Sequence, residues 1–286
     1  MAQQDKLGTV SGLFRYPVKS LRGEALEAAD VFTSGIVGDR LWAFRDVERG
    51  EITSAKRSPL LLQIAATLME DGLEPRARIT LPTGEVMLTD APDCDAMVSN
   101  YAGRQLAIYN LRPASDTAHY ARANIAPEKY EAYVREVLGL LADEPFPDFS
   151  KLPREAMMNV TLPGTYYDVS TIHIVLASEL KKLQNTLPDA AVDAMRFRPN
   201  IVLNDLDSPL PSEALVGVRM KVGTAVVIAD SHAPRCAMTT HAQGNLPSAP
   251  QIMRALVRDW QHNFGLYASV LQGGQIHMGD PVQRLD

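Results

Sequence analysis

The sequence predicts a mainly β, α+β chain arranged as two units, and three observations carry that expectation. Short apolar runs recur between turn residues, one pair of runs has hairpin chemistry, and only a few stretches show helical periodicity. A chain of 286 residues, 46% of them hydrophobic, carries enough apolar surface for two domains of ordinary size. The expected boundaries are 1–110 for a first β unit, 111–165 for a helical linker or loop region, and 166–286 for a barrel-like second unit with a few helices.

In the first unit, Thr9-Val-Ser-Gly-Leu-Phe-Arg-Tyr16 and Ala43-Phe-Arg45 read as strands. Ala77-Arg-Ile-Thr-Leu81 and Glu85-Val-Met-Leu-Thr89 flank Pro82-Thr-Gly84, the spacing of an antiparallel hairpin. Residues 96–102 carry a short helical pattern that Gly103 is suited to cap. Within 125–141, Tyr130, Tyr133, Val134, Val137 and Leu138 recur at helical spacing, with Pro127 fit for the first turn and Gly139 for the end. This helix is expected to bridge the two units. Residues 142–163 hold Pro145, Pro147, Pro153 and Pro163 with little periodicity, which marks a linker or a long active-site loop.

The second unit opens with the apolar strand Ile172-His-Ile-Val-Leu-Ala177, after which Ser178 is expected to cap a helix over 179–187. Strands are expected at Asn200-Ile-Val-Leu203, Leu215-Val-Gly-Val-Arg-Met220, 225–229, Tyr267-Ala-Ser-Val-Leu271 and Pro281-Val-Gln-Arg284, with a helix over 251–263. No internal repeat and no phosphate-binding glycine motif of the GxGxxG or GxxxxGK type occurs.

A net charge of −6 argues against a general binder of nucleic acid or membrane surfaces, which needs a cationic surplus, so any anionic ligand must be held by a local cluster. The N-terminus is polar and no apolar run approaches the roughly 18 residues of a membrane span. Two distant cysteines, Cys94 and Cys236, form no disulfide framework and no zinc spacing, which fits a reducing cytoplasmic setting.

The chemistry points to Ser231-His-Ala-Pro-Arg-Cys-Ala-Met-Thr-Thr240. A guanidinium beside a thiol favours the thiolate, which attacks electrophiles and binds soft metals, and Arg235 stands next to Cys236. His241 is a candidate proton donor. Arg196-Phe-Arg-Pro-Asn200 offers two guanidinium forks and an amide suited to phosphate or a carbonyl-rich ring. Tyr16-Pro-Val-Lys-Ser20 can present Lys19 and Ser20 to an anion, and Gly38-Asp-Arg40 and Lys56-Arg57 add charge. Each also has an ordinary reading: Cys236 as an inert buried thiol, His241 as an exposed loop residue, 196–200 as surface arginines with a turn-capping Asn, 16–20 as a strand connection, and the remaining charges as solvated. His173 reads as a core residue or a cofactor neighbour, and Cys94, among Asp90, Asp93 and Asp95, as structural.

Taken together, Tyr16-Pro-Val-Lys-Ser20, Gly38-Asp-Arg-Leu-Trp42, Phe197-Arg-Pro-Asn-Ile-Val202, Arg235-Cys-Ala-Met-Thr-Thr240, Phe264-Gly-Leu-Tyr267 and Gly279-Asp-Pro-Val282 resemble the MOSC family with its N-terminal β-barrel domain. The resemblance spans most of the chain except about 110–165. It implies a molybdenum cofactor (molybdopterin) whose metal takes Cys236, with Lys19, Ser20, Arg40, Arg198, Asn200 and Arg235 at the cofactor and Ser170 and Tyr267 beside it. It further implies reduction of N-hydroxylated small molecules with electrons from a separate redox protein. A persulfide carrier on Cys236 and a cofactor-binding module without turnover remain as alternatives. Two departures fall in the cysteine loop, where His241-Ala242-Gln243 replaces the usual aliphatic-Asp-Pro and Pro234 the usual small residue.

Overall fold

The computed structural model describes residues 6–70, 74–150 and 154–285. The polar start of the chain and Pro153 of the proline-rich segment lie outside the described residues. The first half runs β1 (Lys6–Arg15), β2 (Glu24–Ala25), β3 (Ala28–Phe32), β4 (Gly35–Ile36), β5 (Trp42–Asp46), β6 (Glu51–Ile52), β7 (Ala65–Met69), β8 (Arg76–Thr80), β9 (Val86–Leu88), α1 (Cys94–Ala102), β10 (Leu106–Asn110) and α2 (Thr117–Tyr120). Then come α3 (Pro127–Leu138), α4 (Arg154–Met158), β11 (Ile172–Leu176), α5 (Ala177–Thr186), β12 (Ile201–Asn204), β13 (Arg219–Val222), β14 (Ala225–Pro234), α6 (Pro250–Asp259), β15 (Asn263–Gln272), β16 (Gly274–His277) and β17 (Pro281–Leu285). The fold is mainly β with some α.

The largest sheet runs β12-β11-β15-β14-β13-β17-β1 and closes because β1 also pairs with β12, so these strands form a barrel. Closure removes the open edges at which unpaired backbone groups would invite other chains. Only β11 and β12 run parallel; the other barrel pairs are antiparallel. The N-terminal strand therefore completes a barrel otherwise built from residues after 171. Its inward residues Leu7, Val10 and Leu13 join Ile172, Ile174, Leu203, Val227, Leu266 and Val270 in one apolar core. All five residues of β11 are buried, the expected state of a continuous apolar run covered on both faces. A further crossing pairs β3 with β16 near the C-terminus.

The remaining N-terminal strands form the small sheets β10-β5-β6 and β7-β8-β9 around a second core with Val18, Trp42, Phe44, Leu62, Ile64 and Cys94. The expected hairpin is β8–β9. Cys94 is structural: burial first, then Asp95 and Asp90, pushes its thiol up to about 12. α1 and α3 end at Gly103 and Gly139, both left-handed with φ of 67° and 71°, as glycine helix caps require.

Two local expectations are corrected. Ser178 does not cap α5, whose N-cap position is Leu176; instead the Ser178 backbone N–H and hydroxyl donate to Asp205 at 2.9 and 2.5 Å, tying the helix start to the end of β12. Leu215 closes a short 3-10 turn, Ser212–Leu215, and the strand begins only at Arg219. Among the described residues, no helix is long and apolar enough to cross a membrane.

Candidate functional site

Three loops far apart in sequence are locked together by one carboxylate. Asp39 accepts the Tyr16 backbone N–H at 2.6 Å through Oδ1, while its Oδ2 accepts from Asn200 Nδ2 at 3.0 Å and from Arg40. The Arg40 N–H donates to the Tyr16 carbonyl and the Lys19 N–H to the Trp42 carbonyl, each at 2.8 Å. Tyr16 Oη donates to the Pro199 carbonyl at 3.0 Å, and Arg198 Nη1 to the Leu21 carbonyl at 2.6 Å. Buried polar groups must be paired, and here each pairing fixes another loop.

That junction holds strained backbone. Ser20, Arg40 and Arg198 adopt φ of 69°, 52° and 54°, the left-handed region that costs an ordinary residue about 1–2 kcal/mol. All three line one cavity of about 500 Å³, together with Lys19, Asn200, Ser170, Arg235, Cys236 and Tyr267. The structure thus gathers nine of the ten anticipated site residues around one space. Backbone strain persists where the surroundings over-determine it and concentrates at working sites.

The wall is strongly cationic. Lys19 Nζ donates to the Tyr166 carbonyl at 3.2 Å and pairs with Asp168. Lys56 Nζ pairs with the other Asp168 oxygen at 3.0 Å. Burial brings Lys19 down to about 8, with Asp168 opposing. Lys56 is also penalised by burial, yet Asp168 and then Cys236 hold it above the usual lysine range. Asp168, despite burial, is kept well below the carboxylate range by both ammonium groups. Arg40 stacks over the Tyr16 and Tyr167 rings and Arg198 over Tyr16, at 5.1, 5.1 and 4.2 Å to the ring centres.

The Arg235 guanidinium is engaged by groups other than its neighbour Cys236. Its Nη2 donates to the Phe197 carbonyl at 2.7 Å and its Nη1 lies 3.4 Å from His173 Nε2. Burial, followed by the Arg235 charge, lowers His173 to about 3, so the ring is neutral and can accept from Arg235 while Nδ1 faces the Arg198 carbonyl at 3.5 Å. Cys236 is half-buried and unpaired with Cys94. Two guanidinium nitrogens among these wall residues, Arg198 Nη2 and Arg235 Nε, are buried with no hydrogen-bond partner.

Three expectations change on this geometry. His241 is outside the cavity wall; its carbonyl accepts from Arg196 Nη1 at 3.2 Å, its Nε2 is buried without a partner, and burial lowers its basicity. Arg196 is no second fork for a ligand, because its other donors are used on the Ala191 and Pro247 carbonyls at 2.7 Å each. The Asn200 amide is spent within the protein, its Oδ1 accepting the His173 N–H at 3.1 Å. Conversely, Lys56, Asp168, Asp39 and Tyr167 join the site without a sequence signal that marks them for it. Lys56-Arg57 and Gly38-Asp-Arg40 carry charge, but loop charges look alike until folding selects the buried ones.

Over the cationic floor lies a second wall of different character. Tyr130, Tyr133, Val134, Val137 and Leu138 of α3 face the cavity, as do Phe146, Phe149, Met157 and Val160. α3 is anchored at Gly139, where a Cβ would meet Ala237 at 3.3 Å, and by Arg254, which donates to the Gly139 carbonyl and pairs with Glu144 at 2.7 Å. The helix expected to bridge two units is the roof of this cavity.

Two family models match the chain, the MOSC N-terminal beta barrel domain over residues 7–121 and the MOSC domain over 143–283. Curated relatives include mitochondrial amidoxime reducing component 2 from Bos taurus, 26% identical over 98% of this chain and 84% of that protein. The Homo sapiens protein of the same name is 23% identical over the same shares. Among solved structures, the YUAD protein from Bacillus subtilis aligns over 98% of this chain and 97% of that one, at 12% identity and a TM-score of 0.42. YiiM from Geobacillus stearothermophilus aligns over 41% and 55%, at 18% identity and a TM-score of 0.32. With its two matched domains in sequence and its closed barrel, this chain belongs to the MOSC family.

Proposed function

We propose that this chain is a molybdenum-cofactor oxidoreductase that reduces N-hydroxylated small molecules, using electrons from a separate redox protein. The observation that carries the reading is the pair of buried, unpartnered guanidinium nitrogens, Arg198 Nη2 and Arg235 Nε, in a wall already crowded with Lys19, Arg40 and Lys56. Orphaned buried donors cost about 1–3 kcal/mol each and are expected to meet an acceptor in the working state. A phosphorylated, carbonyl-rich pterin supplies such acceptors, so the residues present fit the group.

Lys19, Ser20, Arg40 and Arg198 would hold its anionic part, and Arg235 its ring. Cys236 Sγ offers a soft ligand to its thiophilic metal. When bound, the cofactor supplies two-electron oxygen-atom transfer. The protein's part is to fix and neutralise charge: Asp168 keeps both lysines in place, and neutral His173 supports Arg235 without adding a competing cation. The family resemblance of relatives named as amidoxime reducing components supports the substrate class.

The test is turnover of an amidoxime to the amidine by protein made in a host that synthesises the cofactor, with an artificial one-electron donor. Activity is expected there and absent from protein made in a host lacking cofactor synthesis. Equal activity from both hosts contradicts the reading. A persulfide accepted on Cys236 from a cysteine desulfurase, with no molybdenum bound, supports the carrier alternative instead.

A further inference from the structure

Apolar helix faces are normally buried against a core, and that of α3 is buried only at Leu138, its last residue. Tyr130, Tyr133, Val134, Val137 and Leu138 recur at helical spacing on the side turned to the cavity, yet among the described residues no α3 side chain belongs to any of the four apolar core clusters. Tyr133, Val134 and Val137 are only half-buried. Exposed apolar surface next to a ligand site marks where a ligand completes the packing. The pterin is a poor occupant, since its polar ring is matched by the cationic floor.

Charge on the roof narrows the occupant further. Glu131 is paired with Arg135 at 3.0 Å. Arg122 is committed to Tyr133 Oη at 3.1 Å and the Asn159 carbonyl at 2.8 Å. Across the cavity, Asp168 is shared between two lysines. A charged substrate body lying under the roof would find Glu131, Arg122 and Asp168 already paired, while the unpartnered Arg198 Nη2 and Arg235 Nε belong to the cationic floor.

We propose that the α3 roof selects substrate, and that the compounds taken carry an uncharged apolar body, a ring or short chain, lying against Tyr133, Val134 and Val137 with the N–O group toward Cys236. This rests on the function proposed above. It extends that reading by distinguishing apolar amidoximes from zwitterionic or very small N-hydroxylated compounds.

The experiment is calorimetric binding of straight-chain amidoximes, from acetamidoxime to octanamidoxime, to oxidised cofactor-loaded protein with no electron donor, so that no turnover intervenes. Affinity is expected to rise about two- to fourfold per added methylene until the cavity fills. Val134→Asp, with circular dichroism and molybdenum content checked, should flatten that slope; Val134→Ser gives the same comparison should the aspartate variant not fold. A flat wild-type series, or an unchanged slope in a folded variant, overturns the proposal. A steep series in protein that reduces no amidoxime on adding the donor keeps the apolar chamber and removes the proposed function, whereas a flat series with good turnover does the reverse.

Discussion

The two walls of the cavity are built by opposite means. The floor is made of charged side chains on strained backbone, each held by hydrogen bonds from loops distant in sequence, with Asp39 and Asp168 as the shared counter-ions. The roof is one amphipathic helix and a proline-containing segment, attached through Gly139 and Arg254, with its apolar face turned to open space. The floor is held by hydrogen bonds and ion pairs that tie distant loops together, with only Arg198 Nη2 and Arg235 Nε, among its described residues, left buried without a partner; the roof is tolerant because little depends on it except the ligand. Mutations should separate the two sharply.

The largest effect is expected at the junction. Asp39→Ala removes the carboxylate that half-buried Arg40 and buried Asn200 both donate to, leaving Asn200 Nδ2 only the longer bond to the Phe14 carbonyl, and the loss of a buried charge partner costs about 3–5 kcal/mol. Urea unfolding should show a marked fall in midpoint, and an unchanged midpoint would break the account of three loops tied by one carboxylate. Next is Asp168→Asn, which strips both lysines of their counter-ion; cofactor content and stability at pH 7 should fall together.

A pH measurement sharpens the contrast within the floor. His173 has its folded-state value depressed to about 3 by burial and Arg235, so the unfolded chain takes up a proton that the native protein does not. Its stabilising contribution is complete above the unfolded value near 6.5 and shrinks as pH falls toward 3. Between pH 7 and pH 5 this is about 2 kcal/mol. In His173→Gln that part of the slope should be missing, and parallel wild-type and variant profiles would refute it. The smallest effect is expected in the roof. Val137→Ala should cost under about 1 kcal/mol, whereas Leu266→Ala in the barrel core should cost about 2–5. Equal losses would mean that the roof packs as a core after all.

The same contrast explains what was legible in the sequence. The apolar run 225–229 and the Pro82-Thr-Gly84 turn identify strands because their own residues fix them locally, whereas the continuation of β14 to Pro234 is not marked by the polar residues that carry it. That β1 closes the later barrel is not legible, since pairing with β12 and β17 depends on partners far along the chain. Short strands such as β2, β4 and β6 escaped because two residues carry no period. In the site, Lys19, Arg40, Arg198 and Cys236 stood out by motif, while Lys56 and Asp168 did not. For α3, periodicity located the helix over Pro127–Leu138 but could not say whether its apolar face meets a core, a second domain or a cavity.

The most direct test is the molybdenum and pterin content of protein purified from a cofactor-producing host, compared with Arg198→Ala and Cys236→Ser. About one metal and one pterin per chain are expected in the wild type. Both should be lost when Arg198 is removed, and Cys236→Ser should lower the count of sulfur neighbours at the metal by X-ray absorption. Wild-type protein carrying neither metal nor pterin, or a metal whose sulfur shell is the same without Cys236, contradicts the account.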